Sequence, residues 1–255
     1  MKGMRLAVDI GNTQTVIGAY HGRSLEHRWR ISTENSRTTD EYRILLSGLL
    51  SGVPQPLGGA ALSSVVPTAV PAIRPVLTEM VSGPLVVVGP GTRTGMEIRI
   101  DNPREVGADR VANAIGAVEL YGAPVLVVDF GTATTVDVID ASGAYCGGAI
   151  APGVQVAGDA LAAAASALRR VELTRPNRAT GRSTTEAVQS GLVFGWAGLV
   201  DGLVKRICAE NTLGALPVVA TGGLARLIGP VCETITDIED NLTLGGLLVV
   251  LELNS

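Results

Sequence analysis

Phosphoryl transfer asks a protein for donors, cations and good positioning more than for covalent chemistry. Two segments of this chain offer such groups in the same order: DIGNT at residues 9–13 and DFGTATT at residues 129–135. In each, an Asp closes an apolar run and a glycine turn begins two residues later. Glycine lets the backbone approach a ligand closely, and turn amides can face phosphate oxygens. Asn12, Thr13, Thr132 and Thr134 add side-chain donors, and the carboxylates of Asp9 and Asp129 can hold cations that offset phosphate charge. Asp, Asn and Gly also dominate ordinary turns. That plainer reading accounts for one copy, but not for the same order returning 120 residues later.

A third polar cluster, NPREVGADR at residues 102–110, opens a helical pattern that continues through 111–118. Asp109 in its first turn reads either as a carboxylate favoured by the helix dipole or as a general base, with Arg110 gripping an anionic or carbonyl group of a substrate. Thr184 precedes another helical pattern, 187–207, and reads either as its N-cap or as a ligand contact. Other routes are closed by scarcity. The only lysines are Lys2 and Lys205, so no GxxxxGK[ST] loop exists; the only histidines are His21 and His27, both early and in a polar stretch, without the spread of partners that HExxH zinc sites or Ser-His-Asp triads need.

The elements that must carry these residues follow the duplication. Apolar runs at 5–9, 16–20 and 29–32 read as a three-stranded meander, and 124–129, 136–139 and 145–150 read as a second one. A helical pattern follows each, at 40–46 and around 158–169. A further strand with a small polar turn follows at 59–66 and at 216–223, each leading into a helical pattern. The chain therefore reads as α/β, with two similar βββαβαβα halves, mixed sheets flanked by helices and a cleft between the halves. The boundary is expected near 116–122, giving an N-terminal half over 1–118 and a C-terminal half over 119–255.

The remaining composition fits a folded protein of one or two domains. Of 255 residues 46% are hydrophobic and only 17% charged, far from the disordered range. The net charge of −4 and the lack of a basic run argue against general nucleic-acid binding. Three cysteines, Cys146, Cys208 and Cys232, show no CxxC spacing and read as small core residues in a reducing compartment. Apolar stretches such as 61–70 are interrupted by Ser and Pro and fall short of a bilayer span, so the expectation is no membrane and a cytoplasmic protein.

The motifs together point further. DIGNT, WRIST at 29–33 with RTTDEY at 37–42, SSVVP at 63–67, GPG at 89–91 with Thr94 and Gly95, NPREVGADR, DFGTATT, GGAIAPG at 147–153 and DNLTLG at 240–245 resemble the type III pantothenate kinases, in that family's order and over nearly the whole chain. The resemblance implies the fold just described, ribonuclease-H-like in each half, and ATP-dependent phosphorylation of the pantothenate 4′-hydroxyl, the first step of coenzyme A synthesis. It implies Mg2+ with ATP, a monovalent cation (K+ or NH4+), and a homodimer whose substrate site is shared across the interface. Residues Asp9, Ile10, Gly11, Asn12, Thr13, Gln14, Thr15 and Val16 would cradle the ATP phosphates, with Thr132 adding a hydroxyl and Asp129 holding the monovalent cation. Gly107, Ala108, Asp109 and Arg110 would bind pantothenate, with Asp109 accepting the proton, and Thr184 would reach substrate in the neighbouring subunit. Ile100, also expected at the substrate, stands where the family commonly has Tyr; it can pack the dimethyl carbons but donates no hydrogen bond. Another small-molecule kinase of the same superfamily and a non-catalytic nucleotide-binding regulatory relative are the alternatives.

Overall fold

A computed structural model describes residues 3–165 and 168–255. The first apolar run forms β1 (Met4–Ile10), which pairs antiparallel with β2 (Gln14–His21); β2 in turn pairs antiparallel with β3 (Ser24–Ser32). On its other side β1 pairs parallel with β4 (Gly59–Ser64), and β4 with β5 (Leu85–Val87). The order is β3-β2-β1-β4-β5. The second meander gives β6 (Val125–Phe130), β7 (Ala133–Ile139) and β8 (Tyr145–Pro152), with β9 (Val218–Thr221) and β10 (Asp237–Ile238) parallel to β6 on the far side. Its order, β10-β9-β6-β7-β8, is that of the first sheet. The central strands β1, β4 and β6 are buried on both faces, which is why they are continuous apolar runs rather than alternating ones.

In the first unit, α1 (Thr39–Leu49) starts at a complete capping box, Thr38 with Glu41, and packs with α2 (Ala69–Met80) beside the sheet. Tyr42, Leu46, Ile73 and Leu77 from these helices join Leu6, Val8 and Ile10 in one core. The opposite face is covered by α7 (Leu242–Leu253), the last helix of the chain, which contacts β1 and β4 and packs with α3 (Ala108–Tyr121) in a separate cluster. The chain accordingly divides into Met1–Leu120 with Leu242–Ser255, and Tyr121–Asn241. Sequence order alone places everything after residue 118 in the second half; α7 instead buries its apolar surface in the first.

The second unit holds α4 (Val154–Ala164), α5 (Thr184–Glu210) and α6 (Ala225–Ile228). Two helices thus stand between β8 and β9, where the simple repeat has one. The helix expected around 158–169 begins and ends earlier; residues 166 and 167 lie outside the described residues, as does Lys2. At 27 residues α5 is long and apolar enough to cross a membrane by length and composition, unlike the interrupted apolar stretches such as 61–70. One face of it, including Leu192, Val193, Val200, Val204 and Ile207, is buried in the core of the second sheet. The cysteines are half-buried rather than fully in the core, with no disulfide among them, and burial beside Asp201 pushes the Cys232 thiol up to about 12.

Candidate functional site

Asp9 lies one residue before the end of β1, in register with Val16 of β2 and Ser63 of β4. The chain reverses at once: the Gly11 amide donates to the Gln14 carbonyl at 3.0 Å, closing a turn that leaves Asn12, Thr13 and Gln14 exposed. Ile10 and Thr15 are buried beneath it and Val16 is half-buried, so of residues 9–16 the turn alone faces outward. Two bonds from the end of β3 brace it. The Thr33 amide donates to the Thr13 carbonyl at 3.0 Å, and the Thr33 and Thr15 hydroxyls share a 2.9 Å bond. The Ser63 hydroxyl, wholly buried, donates to Asp9 Oδ1 at 2.6 Å.

The same construction recurs in the second unit. Asp129 is in register with Thr135 of β7 and Thr221 of β9, and the Gly131 amide donates to the Ala133 carbonyl at 3.0 Å. Thr132 is exposed on the turn. Glycines take the place of side-chain braces here. Gly153, closing the GGAIAPG run, donates its amide to the Thr132 carbonyl at 3.0 Å, and a side chain at that position would collide with the turn backbone. Gly222, at φ +94°, faces Asp129 Oδ1 so closely that any Cβ would strike it, and a Cβ on Gly131 would lie 3.3 Å from the same oxygen. Only glycine fits at 222, on both counts. Gly131 and Gly222 thus stand close against the Asp129 carboxylate, a group that could hold a cation.

Asp109 is the second residue of α3, and its Oδ1 accepts from the Arg110 amide at 2.8 Å. Gly107 initiates the helix by accepting from the Val111 amide at 3.1 Å, and a side chain on it would collide with Asp109 Oδ1. The Gly-Ala-Asp-Arg spacing therefore turns the carboxylate back over residue 107. Before it, the Asn102 side chain caps the short turn Pro103–Glu105 and donates to Glu105 at 2.7 Å. Ile100 is half-buried and ends an alternating run in which Met96 and Ile98 pack on the α3/α7 cluster.

Thr184 is not the N-cap of α5. Ser183 is, accepting from the Glu186 amide at 3.2 Å, which leaves Thr184 exposed in the first turn. There it borders an apolar cavity of about 500 Å³ between α4 and α5, with Ala157, Leu161, Val188, Leu192 and Trp196. The Trp196 indole is oriented by a 3.1 Å bond to Thr134 of β7. The first unit thus brings Asp9–Val16 to the end of one sheet and Gly107–Arg110 to the start of α3; the second brings Asp129 and Thr132 to the end of the other sheet, with Thr184 on the groove. Among the described residues no group of three or more His, Cys, Asp or Glu could hold a metal ion. Ser63, Gly153 and Gly222 had no role assigned from sequence; aligning the two meanders strand by strand places Ser63 and Thr221 at equivalent positions beside the two carboxylates.

A family profile described as type III pantothenate kinase matches residues 5–206. Proteins named type III pantothenate kinase from Parafrankia sp. (strain EAN1pec) and Moorella thermoacetica are 49% and 47% identical, over 99% of this chain and 99% and 100% of their own length. Among solved structures, ethanolamine utilization protein EutJ from Carboxydothermus hydrogenoformans matches with a TM-score of 0.59 at 15% identity, covering 97% of this chain and 89% of that one. A ROK hexokinase from Thermus thermophilus matches at 0.54 and 16%, over 98% and 99%. At such identities these two share the fold alone.

Proposed function

Since the chain belongs to the type III pantothenate kinase family, we infer that it transfers the γ-phosphoryl group of ATP to the 4′-hydroxyl of pantothenate, the first step of coenzyme A synthesis. The observation that carries this reading is near-identity of length and about half of all residues with relatives of that name, on a fold whose two Asp-Gly turns are built alike. In this reading the turn at residues 9–16 binds the phosphates through amides and hydroxyls, and Thr132 adds a hydroxyl. Gly107, Ala108 and Arg110 hold pantothenate, with Ile100 against its apolar carbons. Asp109 takes the proton from the attacking hydroxyl as the new P–O bond forms and the bond to the β-phosphate breaks, releasing ADP. Magnesium, when bound with ATP, supplies charge neutralisation on the phosphates, and Asp129 holds a large, weakly hydrated monovalent ion.

The proposal includes a cytoplasmic homodimer. Its support is α5: Gly191, Gly195, Gly198 and Gly202 fall on one helical face, and a Cβ at any of them would meet nothing within 4 Å. Each glycine costs a helix interior about 1 kcal/mol relative to Ala, so four on one open face suit close approach by a second copy, with Thr184 at the same groove carried toward the partner's substrate. A coupled ADP-release assay with pantothenate, simple sugars and acetate, each in potassium and in sodium, tests the reading. Turnover with pantothenate alone, faster in potassium, is expected; turnover with a sugar or acetate instead would overturn the substrate, and equal rates in both salts would remove the ion from Asp129.

A further inference from the structure

Strand β4 is a parallel strand whose Ala60, Ala61 and Leu62 are wholly buried, the setting in which such strands run apolar. Ser63 breaks that pattern at the same depth, with no exposed surface. A hydroxyl there is unfavourable unless it is hydrogen-bonded, and its bond goes to Asp9 Oδ1 at 2.6 Å, in the charge-assisted range. The register that pairs Asp9 with Ser63 pairs Asp129 with Thr221, also buried, so a hydroxyl residue stands beside the carboxylate in both sheets.

We propose that Ser63 is a positioning residue for the nucleotide: its hydroxyl fixes the rotation of the Asp9 carboxylate and thereby the direction from which that group meets cation-bound phosphate. The proposal rests on the reading of residues 9–16 as the phosphate turn. A carboxylate on two rotatable bonds samples several orientations at a strand end; tying one oxygen to a buried strand selects one of them before ligand arrives, which lowers the ordering cost of binding. The effect belongs to nucleotide binding and not to the acceptor.

Calorimetric titration of a non-hydrolysable ATP analogue with Mg2+ into the full chain reads this directly, beside steady-state kinetics. Ser63→Ala should weaken the analogue about tenfold or more and raise the KM for ATP in parallel, while the KM for pantothenate and kcat at saturating ATP hold. Ser63→Cys, nearly isosteric but a poor donor, should behave like Ala and serves if Ala disturbs folding; Ser63→Thr should retain affinity. In an Asp9→Ala background, Ser63→Ala should cost nothing further, because the hydroxyl acts through that carboxylate. Natively melting Ser63→Ala and Ser63→Cys proteins that bind the analogue as the parent does would overturn the proposal. So would a loss that adds in full to that of Asp9→Ala. If Asp9→Ala itself binds the analogue normally, the phosphate-turn reading fails instead, whatever Ser63 does.

Discussion

At the scale of single residues, the proposed function rests on carboxylates whose direction is fixed by something small. Asp109 is folded back over Gly107 onto the Arg110 amide, and Gly131 and Gly222 stand close against Asp129. Asp109→Asn keeps the size and the acceptor oxygen but not the basicity. Turnover should fall by roughly 10²-fold or more with analogue binding and melting temperature nearly unchanged, as expected of a positioned general base; wild-type turnover would remove Asp109 from the proton transfer. Ile100 invites the opposite kind of test. Ile100→Tyr restores a hydroxyl at the end of the half-buried run, and the KM for pantothenate should change by about fivefold with kcat steady, downward if the hydroxyl finds a polar group and upward if the ring crowds the site. An unchanged KM places substrate recognition elsewhere. Sequence made the carboxylates legible because Asp before Gly recurs; it left Ser63 and Gly222 silent, since a serine or glycine at a strand end declares its neighbour only once the parallel register is known.

At the scale of elements, the strands were legible because β1, β4 and β6 are continuous runs, apolar over most of their length and buried on both faces, and the helices α1 and α3 because they begin at recognisable polar signals. The end of α4 was not, because an alanine-rich run carries no stop signal, and the chain leaves the helix at Ala165 without a glycine or proline. Nor does chain order show that α7 crosses α3, which the glycines make possible. Gly246 stands against the Ala112 carbonyl and Gly116 against that of Leu242, and the Thr243 hydroxyl donates to buried Asn113 at 2.6 Å nearby. Gly246→Ala puts a methyl group into backbone that cannot yield, so a loss of about 2 kcal/mol or more is expected in denaturant melts, despite the better helix propensity of Ala. The β7–β8 turn gives a pH-dependent case. Asp140 accepts from the Ser142 hydroxyl and from the Ser142 and Ala144 amides, which hold its carboxyl down at about 2. A depressed pKa stabilises above the unfolded value and is lost as pH falls toward 2. The melting temperature of Asp140→Ala should therefore lie below the parent's at pH 6, and the gap should close as both are taken down through pH 4 to pH 2; a gap independent of pH would assign the effect to packing.

At the scale of the molecule, two sheets of identical order carry unequal additions. The first unit gains α7 from the far end of the chain, and the second gains α5 between its meander and its last strands. Inserted helices need a reason to persist, and α5 has one on its buried face, where Leu192, Val193, Val200 and Val204 complete the second core. A Cβ on its glycine face would meet nothing within 4 Å among the described residues: Gly191, Gly195 and Gly198 are exposed and Gly202 half-buried, beside the apolar groove bordered by Thr184. A second copy is the occupant proposed, and the prediction is made on that face alone. Gly195→Glu adds a charge where the lone chain has open space, and it improves helix propensity, so a monomer should fold and melt as well as before or better. In a dimer the same charge is buried against a like copy without a partner, a cost of several kcal/mol that a close helix contact does not absorb. Sedimentation or light scattering should therefore show the parent at twice the chain mass and Gly195→Glu at the chain mass. Turnover should fall with assembly if Thr184 serves the neighbouring subunit, while analogue binding at the residue 9–16 turn persists. A parent that runs as a monomer at assay concentration, or a Gly195→Glu protein that remains dimeric, would take the interface off α5.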